Sequence, residues 1–219
     1  MKRRLIADGF DVASEMRITV ACDGFAKHYY ADLLVDRGVL VELKAATILM
    51  NAHTAQTPNY LFLCGLHHAT LLNFRKERVE RKFVSTRLTP DDRRRFELRF
   101  LDWTPLTDAC DLLPTRMQRL LSDWGAYLDR LLYRDALTHF LGGPTRVERD
   151  VPVRSADGPI GTQRMHLLSD DVAFSVTYAA HQPEIVYEHQ LRFLRHTSLR
   201  AVQWINLHHD RITFRTIKP

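Results

Sequence analysis

Hydrophobic and polar positions along the chain change period several times. Alternating stretches rich in Val, Ile, Phe and Tyr read as strands at MRITVACDG, then at residues 25–35 and 39–45. A helix is expected over 51–64, followed by two strands at HATLLNF and VERKFV. Thr89-Pro90 supplies an N-cap and a first helical residue for a short linker helix. From Pro114 to about Leu141 the apolar positions Met117, Leu120, Leu121, Trp124, Leu128, Leu131 and Leu132 recur at helical spacing, which predicts one long amphipathic helix. Gly142-Gly143-Pro144 ends it. Strands at VPVRSADG and onward, a helix over 184–196, and strands at RAVQWINL and RITFRTI complete the chain.

This order of signals occurs twice. Asp23-Gly24 and Gln56 recur as Asp157-Gly158 and Gln190 at a separation of 134, and Leu72-Asn73-Phe74 recurs as Ile205-Asn206-Leu207 at 133. The expected organisation is therefore an α/β (α+β) chain of two tandem domains: residues 1–88, a linker at 89–113, and a second copy at 114–219. The first copy begins partway through the helix that precedes the second. The Arg93-Arg94-Arg95 run, flanked by Asp91 and Asp92, reads as a solvated helix face.

The first hairpin concentrates charge. A three-residue loop, Asp36-Arg37-Gly38, with glycine last suits a type I turn followed by a left-handed bulge residue. Val35 then faces Val39, and counting back places Asp32 directly opposite Glu42. Lys44 points to the same face. Like charges opposite one another destabilise a sheet unless a cation lies between them. The surrounding Val39, Leu40, Val41 and Leu43 read as a buried central strand, where unpaired charge is costly. The second copy, at the uniform separation of 134, carries His166, Val176 and Tyr178 at these positions. The fold does not need the charges, so they read as a site in the first copy, and the second copy reads as chemically silent.

Composition adds modest constraints. With 45% hydrophobic and 26% charged residues in 219, the chain belongs with globular proteins. No apolar run reaches the ~18 residues of a membrane span. MKRRLIADGF meets Asp8 before any apolar stretch develops, which argues against a secretory signal. Three scattered cysteines (Cys22, Cys64, Cys110) without zinc spacing read as reduced thiols of a cytoplasmic protein. The formal charge of +5 suits a polyanionic partner. His67-His68 and His208-His209 read as turn residues, His28 and His53 as structural histidines, and Trp124 and Trp204 as core.

The spacing Asp-x9-Glu-x-Lys resembles the PD-(D/E)XK nuclease superfamily of restriction-endonuclease-like folds. The words YADLLVDRGVLVELKA, HTAQTPNYL and LLNF resemble its GxxExxY family more closely. Gln56-x-x-x-Tyr60 is similar to the QxxxY motif of RecB-like nucleases, and i,i+4 spacing puts both side chains on one helix face. Gln190 persists in the silent copy, so Gln56 reads equally as a structural helix-to-sheet hydrogen bond. The name motif of the family falls at Tyr127, Arg130 and Tyr133 of the second copy, with the glutamate replaced, and lies outside the first.

The resemblance implies a phosphodiester hydrolase acting on nucleic acid, DNA first, with a homodimer or a protein partner as open alternatives. It implies Mg²⁺ (or Mn²⁺) held by Asp32, Glu42 and the Leu43 carbonyl. Lys44 would act on the attacking water or the oxyanion, and Gln56 and Tyr60 would position the strand. The competing reading is a catalytically inactive nuclease-fold protein, acting as a nucleic-acid-binding or assembly module.

Overall fold

The computed structural model describes residues 1–47, 51–75 and 77–219, with side chains described except at 51–55. The chain divides into two units, Met1–Arg93 and Arg94–Pro219. Both are mixed α/β, each a mixed sheet flanked by helices, consistent with two restriction-endonuclease-like domains.

The N-terminal unit runs α1 (Lys2–Ala7), β1 (Val12–Cys22), β2 (Phe25–Val35), β3 (Val39–Lys44), α2 (Asn51–Cys64), β4 (His68–Asn73) and β5 (Glu80–Ser85), and closes within α3 (Pro90–Arg94). Its described strands pair in sequence order. β3 and β4 run parallel and the other neighbours antiparallel. Parallel neighbours need a crossover, and α2 is that crossover. Its Tyr60 and Leu61 bury against Ala31, Leu40 and Ala69.

Two expectations are corrected here. At the hairpin turn Asp36 and Arg37, not Gly38, hold the left-handed conformation (φ 48° and 56°). Aspartate tolerates that region, and Asp36 is pinned there by exchanging hydrogen bonds with Asp11, 2.8 and 2.9 Å. The Val35–Val39 register is unaffected. In α3, Thr89 and Asp92 cap one another reciprocally, the Asp92 N–H donating to Thr89 Oγ1 at 3.1 Å and the Thr89 N–H to Asp92 Oδ2 at 3.0 Å. Arg93, however, is buried rather than solvated. Its guanidinium lies 5.0 Å from the Phe62 ring centroid and donates to the Phe62 carbonyl at 3.3 Å.

The second unit contains β6 (Glu97–Leu101), α4 (Asp108–Trp124), α5 (Arg130–Phe140), α6 (Pro144–Val147), β7 (Glu148–Ser155), β8 (Gly158–Leu167), β9 (Val172–Thr177), α7 (Pro183–Arg195), β10 (Ala201–His208) and β11 (Arg211–Ile217). The sheet order is β6-β11-β10-β9-β8-β7. Part of the stretch read as linker is therefore integral: β6 extends the sheet beside β11, and α4 begins at Asp108. The long helix expected from Pro114 is two helices. Gly125, at φ 81°, lets the chain leave α4, and the Asp129 carboxylate caps α5 by accepting from the Leu131 N–H. The apolar period continues across this break because Ala126 and Leu128 are also buried. Among the described residues no helix is long and apolar enough to cross a membrane.

Candidate active site

The β2–β3 hairpin brings the expected charges together through an interrupted ladder. Regular pairing of β2 with β3 ends at Leu33–Val41. The next N–H along β3, that of Leu43, donates instead to Asp32 Oδ2 at 2.7 Å. On its other side Asp32 also falls outside regular pairing. Ser14–Leu33 and Met16–Ala31 are matched, but Glu15 between them sits at φ 52°. A carboxylate thus takes the place of a strand carbonyl as hydrogen-bond acceptor. That substitution fixes the Asp32 side chain beside β3.

Glu42 is 1% exposed in the middle of that strand, and its Oε1 is a buried acceptor with no hydrogen-bond partner. Burial, and then the neighbouring Asp32 charge, raise its carboxyl from the ordinary 4.5 to about 7; Lys44 and the Asp32 backbone N–H pull it back only in part. Lys44 Nζ lies 3.4 Å from Glu42 Oε2 and donates to Gln56 Oε1 at 3.1 Å. Gln56 Nε2 in turn donates to the Tyr60 hydroxyl at 2.7 Å. Burial, with Glu42 and Asp32 nearby, holds the Tyr60 phenol above its usual range.

All five side chains expected at the site therefore meet at the end of β3 facing α2. Gln56 makes the helix-to-sheet bond, and its i+4 neighbour Tyr60 locks its amide. The Leu43 carbonyl belongs to the strand residue between Glu42 and Lys44.

Three features escaped the sequence reading. Asn73 is fully buried, and its side-chain amide grips both backbone groups of Ala46 (3.0 and 2.8 Å), fixing the chain just beyond Lys44. A signal existed, because Asn73 lies in the repeated word Leu72-Asn73-Phe74. Cys64, at the end of α2, has its thiol pushed up to about 11 by burial and by the Glu42 charge. The strained Glu15 beside Asp32 carries no mark in the sequence.

Other expectations fall as follows. The His67 ring meets the Thr86 carbonyl at 3.2 Å, and the His28 ring meets Thr19 Oγ1 at 3.0 Å. The His53 side chain lies outside the described residues. Trp124 and Trp204 are buried. Tyr127 precedes α5 instead of lying on it, Arg130 is its exposed first residue, and Tyr133 is buried with its hydroxyl on the Gly125 carbonyl.

The donor set fits a hard divalent cation in one specific respect. Lys44 reaches only Oε2, so the buried Oε1, beside a second carboxylate, is left for a positive ion from solution to stabilise. Among the described residues no group of three or more His, Cys, Asp or Glu converges to hold a metal. No curated protein and no solved structure matches the chain. Residues 1–85, which carry every member of the cluster, match the family model of the PD-(D/E)XK nuclease superfamily.

Proposed function

We propose that the chain is a divalent-metal-dependent nuclease of the GxxExxY type, with its active site in the N-terminal unit and nucleic acid, DNA first, as substrate. The observation that carries the reading is the convergence of Asp32, Glu42 and Lys44 around the unpartnered Glu42 Oε1. Asp32, Glu42 and the Leu43 carbonyl would hold Mg²⁺ (or Mn²⁺). When bound, such an ion supplies Lewis acidity toward a phosphoryl oxygen and a more acidic water.

The chain's own residues would do the rest. Lys44, anchored between Glu42 and Gln56, presents an ammonium group to the attacking water or to charge developing on phosphate. Gln56 and Tyr60 set the direction of that ammonium group; half-buried Gln56 would also meet the strand, while Tyr60, buried in the core, would act through Gln56. Burial of Glu42, which resists ionisation on its own, would strengthen its attraction for a cation once ionised.

The second unit is proposed to be a degenerate copy. Asn206 grips both backbone groups of Ala179 (2.8 and 3.1 Å) as Asn73 grips Ala46. Register pairs relate β2, β3 and β4 to β8, β9 and β10 at a constant separation of 133. On that footing the counterparts of Asp32, Glu42 and Lys44 are Met165, Ser175 and Thr177. These lie one position before the His166, Val176 and Tyr178 expected from a uniform 134. The extra residue of the second copy falls after Ala179, outside the strand.

One observation favours a second reading. Among the described residues the acidic pair Asp32 and Glu42 is joined by no third such ligand, and a nucleic-acid-binding or assembly module without catalysis would use the same fold. The deciding experiment incubates the full chain with single- and double-stranded DNA and RNA, with Mg²⁺ or Mn²⁺ or with EDTA. Metal-dependent cleavage abolished by Glu42→Ala and by Lys44→Ala supports the enzyme. Metal-independent binding with no cleavage selects the module.

A further inference from the structure

The sheet of the N-terminal unit is packed by α2 on one face, where Met16, Ile18, Tyr29, Ala31, Ala69 and Val84 join its core. Strand alternation sends their neighbours Arg17, Tyr30, Thr70 and Phe83 to the opposite face. There Tyr30 is 56% and Phe83 71% exposed, high values for aromatic rings in a sheet. Arg17 pairs directly across from Tyr30, and the Arg81 guanidinium lies 5.5 Å from the Phe83 ring centroid. Half-buried Leu43 and Leu72 form the floor between them, Leu72 pairing with both Leu43 and Arg81. The charged and imidazole groups that alternation assigns to this face within the strands, Arg17, His28, His68 and Arg81, are all basic; Glu15 sits where the alternation is broken. α1 reaches β1 through Lys2 and Ser14 and buries none of its own residues.

Leu33 and Val41 on this face are buried, so it is covered there and open around Tyr30, Leu43, Leu72 and Phe83. Such an opening is not a requirement of this kind of sheet. In the second unit α7 covers one face through Leu194 against Ala173 and Val202, and Cys110 of α4 buries against Val172 and Ala201. A face built to receive a helix is apolar in that manner. Exposed rings set beside arginines instead suit flat bases joined by phosphates.

We infer that this face binds a single-stranded stretch of nucleic acid, with Tyr30 and Phe83 stacking on bases and Arg17 and Arg81 meeting phosphate. The inference rests on the nucleic-acid reading of the chain but not on catalysis.

The test is fluorescence anisotropy of the full chain with a fluorescein-labelled oligothymidylate of twenty nucleotides, in EDTA. The wild type is expected to bind. Tyr30→Ala with Phe83→Ala is expected to weaken binding at least tenfold, each stacked base being worth about five- to 150-fold. Arg17→Gln with Arg81→Gln is expected to flatten the salt dependence by about 1.4 in the log–log slope. All four side chains are exposed, and circular dichroism melts check that the variants fold. Unchanged affinity in the aromatic variant overturns the inference. So does absence of binding by the wild type, or a dimer in sedimentation that the aromatic variant disperses. A chain that binds in this way but cleaves nothing refutes the proposed catalysis and leaves this face standing. A chain that cleaves while the variants bind and cleave normally refutes this face alone.

Discussion

Replacing Glu42 by Gln removes a buried charge while keeping the shape of the side chain. With a carboxyl at about 7 in the folded state against an ordinary 4.5, the folded chain retains a proton between those pH values that the unfolded chain has already released. Stability contributed by this group therefore falls as pH rises from 4.5 to 7 and stays low above. At about 1.4 kcal/mol per tenfold, the loss is roughly 3 kcal/mol. In EDTA, Glu42→Gln is expected to lose none of this and to be the more stable protein at pH 8. A domain of this size gains about 4–8 °C per kcal/mol, so the difference in Tm is of the order of ten degrees. A bound divalent cation offsets the same penalty, so saturating Mg²⁺ should raise the wild-type Tm at pH 8 and leave Glu42→Gln unmoved. Ligand at a hundred times its Kd is worth about 2.7 kcal/mol. Calorimetric melts at pH 5 and pH 8, with and without Mg²⁺, measure all of these. Equal pH dependence in the two proteins, or a Glu42→Gln protein that is the less stable at pH 8 in EDTA, refutes the reasoning.

Asp32→Asn keeps an oxygen for the Leu43 N–H and should fold as the wild type while losing Mg²⁺ stabilisation. Asp32→Ala leaves that N–H without its 2.7 Å acceptor and should cost a further 1–3 kcal/mol or so in urea denaturation. Asn73→Ala orphans the N–H and carbonyl of Ala46 and should cost about 2–4 kcal/mol by the same measurement. Cys64, with its thiol near 11, should alkylate with iodoacetamide at pH 8 about a hundredfold more slowly than an exposed cysteine, as read by mass spectrometry. Glu42→Gln should speed that reaction, because the Glu42 charge is part of what suppresses the thiolate.

The geometry of the candidate site was legible because its determinants are local. Turn length sets hairpin register, and register sets which side chains face one another, so Asp32, Glu42 and Lys44 could be placed from a count of residues. The same count held although the turn took a different conformation, since the number of loop residues fixes register whichever of them is left-handed. The i,i+4 spacing of Gln56 and Tyr60 was equally readable. What was not legible depends on contacts distant in sequence. Arg93 follows two aspartates and looks solvated; Phe62 of α2, distant in sequence, packs against it in the fold. The break at Gly125 was masked because Ala126 and Leu128 continue the apolar period through a segment that is not helical. The left-handed backbone at Glu15 sits where pairing with β2 is interrupted, and no residue type announces it.

The proposed second copy shows what the charges cost by showing what replaces them. Ser175 stands where Glu42 does, and its hydroxyl donates to Gln190 Oε1 at 3.1 Å. Thr177 stands where Lys44 does, donating to Asn206 Oδ1 at 3.1 Å and accepting from the Trp204 indole at 2.7 Å. Each buried polar atom in this set has a neutral partner, and none requires an ion. In the N-terminal unit the same strand positions keep a carboxylate that resists ionisation and an oxygen that no donor reaches. A sheet under selection for stability alone has the neutral solution available, as the second unit demonstrates. Retaining the charged one in a single copy is the pattern expected when the ligand that completes it comes from solution, which makes the Mg²⁺ dependence of the wild-type melt at pH 8 the measurement that bears most directly on function.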